Sequence, residues 1–174
     1  MAIFIALLRA INVGGTGILP MKELAAICAD LGFDKVRTYI QSGNVIFESA
    51  LPEDKIRARL EQVLTGRMAK KIDVLVRSAS ELHSILEANP FPDAEPRKVA
   101  VFFLSGPVPK GLLDNLVAPG GEEVRLGNRE IYIHYPDGMG RSKLKLPSSV
   151  GAATARNINT VAKLAAMATI WPGA

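Results

Sequence analysis

A chain of 174 residues, nearly half apolar and 22% charged, is globular rather than disordered and long enough to bury a core, as one compact unit or two small ones. Its single cysteine, Cys28, excludes an internal disulfide and a thiolate metal cluster. The formal charge is only +4, but the last 51 residues hold seven bases against two acids, a placement that favours anionic partners unless it is an ordinary solvated surface.

The opening Met1–Arg9 stretch is apolar, too short to span a bilayer and without the basic leader of a signal peptide. A cytoplasmic protein without a membrane partner is the expectation. Residues 3–9 form a continuous apolar run, the pattern of a strand buried on two faces. Pro20 opens a helix whose apolar side carries Met21, Leu24, Ala25, Cys28 and Leu31, and Gly32 ends it. Residues 36–41 and 44–48 read as strands around a two-residue Ser42-Gly43 loop. That register sets Arg37 opposite Glu48 as a cross-strand charge pair. It also puts Ile40 in the core with Ile5, Leu7, Leu24, Cys28, Phe47, Leu60 and Leu64. Pro52 starts a second helix with the stripe Ile56, Leu60, Val63, Leu64 and Met68, and residues 73–77 read as a fourth strand. The order β-α-β-β-α-β is the ferredoxin-like split unit, with the first strand central.

Ser78-Ala79-Ser80-Glu81 is a capping box for a linking helix that stops before the prolines at 90, 92 and 96. The second half repeats the first in outline. Residues 98–104 read as a strand, 109–117 as a short helix, 122–126 and 129–134 as a hairpin about Gly127-Asn128, and 157–169 as a final helix. The fold class expected is therefore α+β: a ferredoxin-like subdomain at 1–77, a linking helix and Pro-rich connector at 78–97, and a second, related α+β subdomain at 98–174.

Three segments carry polar residues beyond what a core needs. Arg9, Asn12, Gly14 and Gly15 leave the first strand, with Lys22 just inside the helix. Such a turn presents backbone amides to an anion, or is merely a glycine connection. Its spacing matches neither the dinucleotide fingerprint nor the nucleoside-triphosphate loop, so no cofactor is implied. Tyr39, Gln41, Ser42 and Asn44 gather donors and acceptors at the hairpin, or simply close the turn. On the last helix, 100° per residue stacks Arg156, Asn159, Thr160 and Lys163 into an acid-free stripe suited to a carboxylate or phosphate. Arg141, Ser142 and Lys143 add bases and a hydroxyl upstream. His83 and His134 lack metal-ligand spacing, no nucleophile elbow is present, and no metal site is expected.

Taken together, RAINVGGTG, PMKEL, RTYIQSGNVIFES, RSKL and TARNINTVAKL resemble the bacterial family called Domain of Unknown Function 1697 over almost the whole chain. The resemblance implies a ferredoxin-like subdomain, a second α+β subdomain and no established activity. Its pattern carries over to Arg9, Asn12, Gly14, Gly15, Lys22, Tyr39, Gln41, Ser42, Gly43, Asn44, Ser142, Lys143, Arg156, Asn157, Asn159 and Thr160. Two positions depart from it: Ala10 stands where the family has glycine, and Ile158 where it has an aromatic. The favoured reading is a small anionic or phosphorylated ligand bound at the seam between the halves. Nucleic acid ranks behind it, because only Tyr39 is placed to stack a base, as does a protein-interaction module without ligand. Catalysis and oligomeric state stay open.

Overall fold

The computed structural model describes residues 1–12 and 18–169. It is an α+β protein with two four-stranded antiparallel sheets. Two compact units emerge, one of residues 1–82 with 164–174 and one of residues 83–163.

In the first unit β1 (Ala2–Leu8), β2 (Asp34–Tyr39), β3 (Asn44–Ser49) and β4 (Val74–Ser78) pair in the order β2-β3-β1-β4. β1 is central, between β3 and β4, as the ferredoxin-like reading requires. α1 (Met21–Asp30) and α2 (Glu53–Met68) cover one face of the sheet. Leu24, Cys28, Ile56, Leu60 and Leu64 from the helices meet Phe4, Ala6, Leu8, Val45, Phe47, Val74 and Val76 from the strands. Phe33 stacks on Phe47 at 4.4 Å between ring centres. α1 ends in a Schellman arrangement: Phe33 N–H donates to Cys28 O at 3.1 Å, Gly32 N–H to Ala29 O at 3.0 Å, and Gly32 takes φ +88°. Pro20 and Pro52 stand one residue ahead of their helices. An Arg67–Glu23 ion pair ties α2 to α1, with Nη2 to Oε2 at 2.9 Å.

The hairpin differs from expectation. Its connection is four residues, 40–43, and Tyr39 rather than Gln41 faces Asn44. The register moves by two residues, so each side chain keeps its face but changes its partner. Arg37 sits opposite Ile46 and donates to Met167 O at 3.3 Å, while Glu48 pairs with Lys35 at 3.6 Å. The Arg37–Glu48 pair does not form. Ile40, expected in the core, is 48% exposed with φ +50° because it belongs to the loop. Val63 also falls outside the buried stripe of its helix and is exposed. The other expected core residues, Ile5, Leu7, Leu24, Cys28, Phe47, Leu60 and Leu64, are all buried.

The second unit has the same strand permutation. β5 (Val99–Leu104), β6 (Glu123–Leu126), β7 (Glu130–His134) and β8 (Ala153–Asn157) pair in the order β6-β7-β5-β8. Where a helix was expected at 109–117 there is a 3-10 turn, Leu112–Asn115, entered through Gly111 at φ +74°. Its Leu112 covers the sheet together with Leu116, Leu144 and Leu146 from irregular chain and Val150 from another 3-10 turn, Ser148–Val150. β8 replaces what looked like the approach to the last helix, which is α4 (Ile158–Thr169). The proline-containing stretch 89–96 lies outside both sheets.

The repeat extends to single residues. Arg77 lies opposite Ile5 on β4 and Arg156 opposite Val101 on β8; each is the penultimate residue of its strand and buried. Each donates to the carbonyl before it, Val76 O and Ala155 O, at 2.9 Å. The next residue then caps a helix. Ser78 Oγ accepts from Glu81 N–H at 3.1 Å at the head of α3 (Ala79–Glu87), and Asn157 Oδ1 from Thr160 N–H at 2.9 Å at the head of α4.

Candidate functional site

In the first unit the two polar signatures do meet. Asn12 Nδ2 donates to Leu19 O at 3.0 Å and to Gln41 O at 2.9 Å, and its Oδ1 accepts from Leu19 N–H at 2.7 Å. One amide therefore joins the exit of β1, the entry to α1 and the hairpin loop. Leu8 N–H donates to Gly43 O at 2.9 Å. Gly43 has φ +85°, and a Cβ there would lie 2.6 Å from Ile11 Cδ1 and 2.9 Å from Leu8 Cβ, so two constraints require glycine. Ala10, Asn12 and Ile40 are all left-handed, with φ of 53°, 55° and 50°. Ala10 thus occupies a conformation that glycine adopts more readily.

Asn44 is fully buried, and its Nδ2 donates to Tyr39 O at 2.9 Å and Ser42 Oγ at 3.0 Å. It closes the turn. Arg9 pairs with Asp73 at 3.2 Å, and Lys70 Nζ approaches Ala10 O at 3.4 Å. Lys22 and Gln41 are exposed and Tyr39 is half-buried. Gly14 and Gly15 lie outside the described residues.

The basic stripe of the last helix is not one face. Arg156 belongs to β8, is 7% exposed, and donates to Thr154 Oγ1 at 2.8 Å; burial pulls its guanidinium down to about 10. Thr160 is buried, Asn157 is the helix cap, and Asn159 and Lys163 are exposed. The helical projection fails because Arg156 precedes the helix.

Ser142 and Lys143 line a cavity of about 260 Å³ in the second unit, with Glu122, Tyr135, Asp137 and Arg141. Turns build it. Glu122 follows Gly120-Gly121, with Gly121 at φ +77°, and Asp137 precedes Gly138 at φ +86°. Ser142 Oγ donates to Glu122 Oε1 at 2.7 Å and accepts from Leu144 N–H at 3.1 Å, and Gly120 N–H donates to Glu122 Oε2 at 2.8 Å. Above all the Ser142 hydroxyl holds the Glu122 carboxyl below its usual range. Burial, with Glu122 adding its charge, pushes the Tyr135 phenol up to about 12, so it stays a neutral donor. An adjoining groove of about 460 Å³ shares Asp137 and Arg141 and adds Arg97 and Lys98. Glu122, Tyr135 and Asp137 escaped sequence reading; the turn signals Pro119-Gly120-Gly121 and Pro136-Asp137-Gly138 were their only trace.

Among the described residues no group of three or more His, Cys, Asp or Glu side chains is placed to hold a metal, and no helix is long and apolar enough to cross a membrane. No curated protein matches the chain. A solved structure, that of a conserved bacterial protein from Streptococcus pneumoniae, is similar in fold, with a TM-score of 0.80 at 23% identity over 96% of this chain and 98% of that one. The model of a family of proteins of unknown function, DUF1697, matches residues 1–132, and the chain belongs to that family.

Proposed function

We propose that the protein binds a small anionic ligand, phosphorylated or carboxylated, and that the cavity of the second unit receives it. The observation that carries this reading is the pairing of Arg141 and Lys143 on one concave surface without an ion pair to either among the described residues. Elsewhere in the unit Arg97, Lys98 and Arg125 are occupied by Glu95 and Glu123. Two exposed, uncommitted cations at a cavity rim favour an anion, and a guanidinium beside an ammonium suits a phosphate or carboxylate.

Arg9, Lys22, Tyr39 and Gln41 are the second location for the same reading, supported by the left-handed residues gathered around Asn12. Nucleic acid is disfavoured. Phe4 and Phe47 on the central strands of the first sheet are buried, as are Phe103 and Tyr132 in the second, where Phe102 is half-buried against the core, so no aromatic platform faces solvent there.

The test is a thermal-shift titration of the full chain with inorganic phosphate, phosphorylated metabolites, carboxylates, nucleotides and random RNA. A saturable rise with small anions is expected, abolished in Arg141→Ala and Lys143→Ala. If only Arg9→Ala abolishes it, the site is at the second location. No saturable rise with any anion, or a rise with RNA alone, overturns the reading.

A further inference from the structure

The same cavity holds a carboxylate that forms no ion pair among the described residues. Glu122 is 8% exposed and accepts hydrogen bonds, yet no Lys, Arg or His pairs with it among the described residues. Ser142, the Glu122 amide itself and Gly120 N–H all donate toward the carboxylate, whose two oxygens together still have room for a further donor. Tyr135 is 3% exposed and lines the cavity, and its hydroxyl has no hydrogen-bond partner among the described residues. A buried ionised carboxylate and a buried phenol with unmet capacity are both costly. Their place beside two unpaired rim cations makes the cavity amphoteric.

Resting on the anion-binding reading above, we infer that the ligand is zwitterionic: an ammonium group meets Glu122, and a phosphate or carboxylate on the same small molecule meets Arg141 and Lys143. Tyr135 supplies a neutral hydrogen bond between the two poles. A simple anion would leave Glu122 uncompensated and be repelled by it. A simple cation would leave Arg141 and Lys143 without a partner. A molecule with both charges satisfies the four groups at once, and a cavity of about 260 Å³ suits a compact one.

The probes are inorganic phosphate, ethylamine and phosphoethanolamine, with glycine and γ-aminobutyrate as carboxylate zwitterions of two lengths. Binding is measured by calorimetry on the full chain, and amide NMR shifts at Gly120 and Gly138 report the location. At least one zwitterion is expected to bind ten-fold or more tighter than phosphate and ethylamine. Glu122→Gln should abolish that preference while leaving phosphate binding equal or stronger. Arg141→Ala should weaken phosphate and zwitterion alike. Tyr135→Phe serves as a second variant should Glu122→Gln disturb the Gly120 turn; it should lower zwitterion affinity several-fold. If phosphate binds and no zwitterion binds tighter, the zwitterion inference is overturned and the anion reading stands. If Glu122→Gln or Tyr135→Phe folds and keeps the full preference, the inference falls as well. If neither phosphate nor any zwitterion binds, both fall.

Discussion

In the first unit the sheet β2-β3-β1-β4 is covered by α1 and α2, whose side chains at 24, 28, 56, 60 and 64 are fully buried. In the second the order β6-β7-β5-β8 recurs, but Leu112, Leu116, Leu144 and Leu146 arrive from a 3-10 turn and irregular chain. Strand order therefore does not depend on what covers the sheet. It follows from which edges pair, and helices are one way of burying the face that pairing leaves. Irregular cover has a second consequence. Its turns cannot pack as evenly as a helix, and the cavity at Glu122, Tyr135 and Arg141 lies among them.

The hairpins offer the largest test of this contrast. Gly43→Ala meets a left-handed φ and the side chains of Ile11 and Leu8, and should cost about 2–5 kcal/mol. At Gly127 an added Cβ would lie 3.3 Å from Glu130 O, an approach that slight adjustment relieves. Gly127→Ala should cost less than about 1 kcal/mol. Urea denaturation of both variants measures the gap, and equal costs would show that the first hairpin is not the tighter one.

The covering layers come next. Leu60→Ala removes a fully buried side chain from α2, where the helix backbone cannot collapse into the void, and about 4 kcal/mol is expected. Leu112→Ala, on the 3-10 turn and 6% exposed, should cost about 2 kcal/mol. The reverse ranking would mean that the irregular cover is the more rigid.

Alkaline pH probes the same two units by titration. Burial raises the Cys28 thiol of α1 to about 12, and Tyr132 and Tyr135 of the second unit to about 12 as well. In each case the folded state keeps a proton that the unfolded chain releases sooner. Stability is thus full below about pH 9 and declines as pH rises toward 12. Cys28→Ala and Tyr135→Phe should each flatten part of that decline in denaturation midpoints compared at pH 8 and pH 10.5. A decline unchanged in both would place its origin elsewhere.

What sequence disclosed and what it hid follow the same division. The helices of the first unit were legible because Leu24, Cys28, Ile56, Leu60 and Leu64 repeat at helical spacing. The order of its strands followed from the split-unit pattern. The hairpin register was not legible, since nothing in Ile40 announces a left-handed, exposed, β-branched residue. β8 was hidden too. Its five residues, Ala-Thr-Ala-Arg-Asn, run into a strongly periodic helix, and Arg156 fitted the helical projection by chance. At the candidate site, Ser142 and Lys143 stood out by residue type. Glu122 and Tyr135 did not, because an unpaired buried carboxylate is a property of surroundings that only the fold creates.

The smallest expected effect bears on the repeat itself. Ser78 and Asn157 follow Arg77 and Arg156 at the ends of equivalent strands, and each satisfies an amide of the helix that follows. Without that side-chain oxygen the amide of Glu81 or Thr160 loses its partner. Ser78→Ala and Asn157→Ala should therefore each cost about 1 kcal/mol. Glycine at either position should cost only a few tenths, about the difference expected when water can reach the amide. Comparable costs at the two positions, within about 0.5 kcal/mol by urea denaturation, would show that the strand-end device serves both units alike. A cost confined to Ser78 would mean that α4 is held by the packing of Val161, Leu164 and Ala168, all buried, and that the repeated geometry carries no repeated energy.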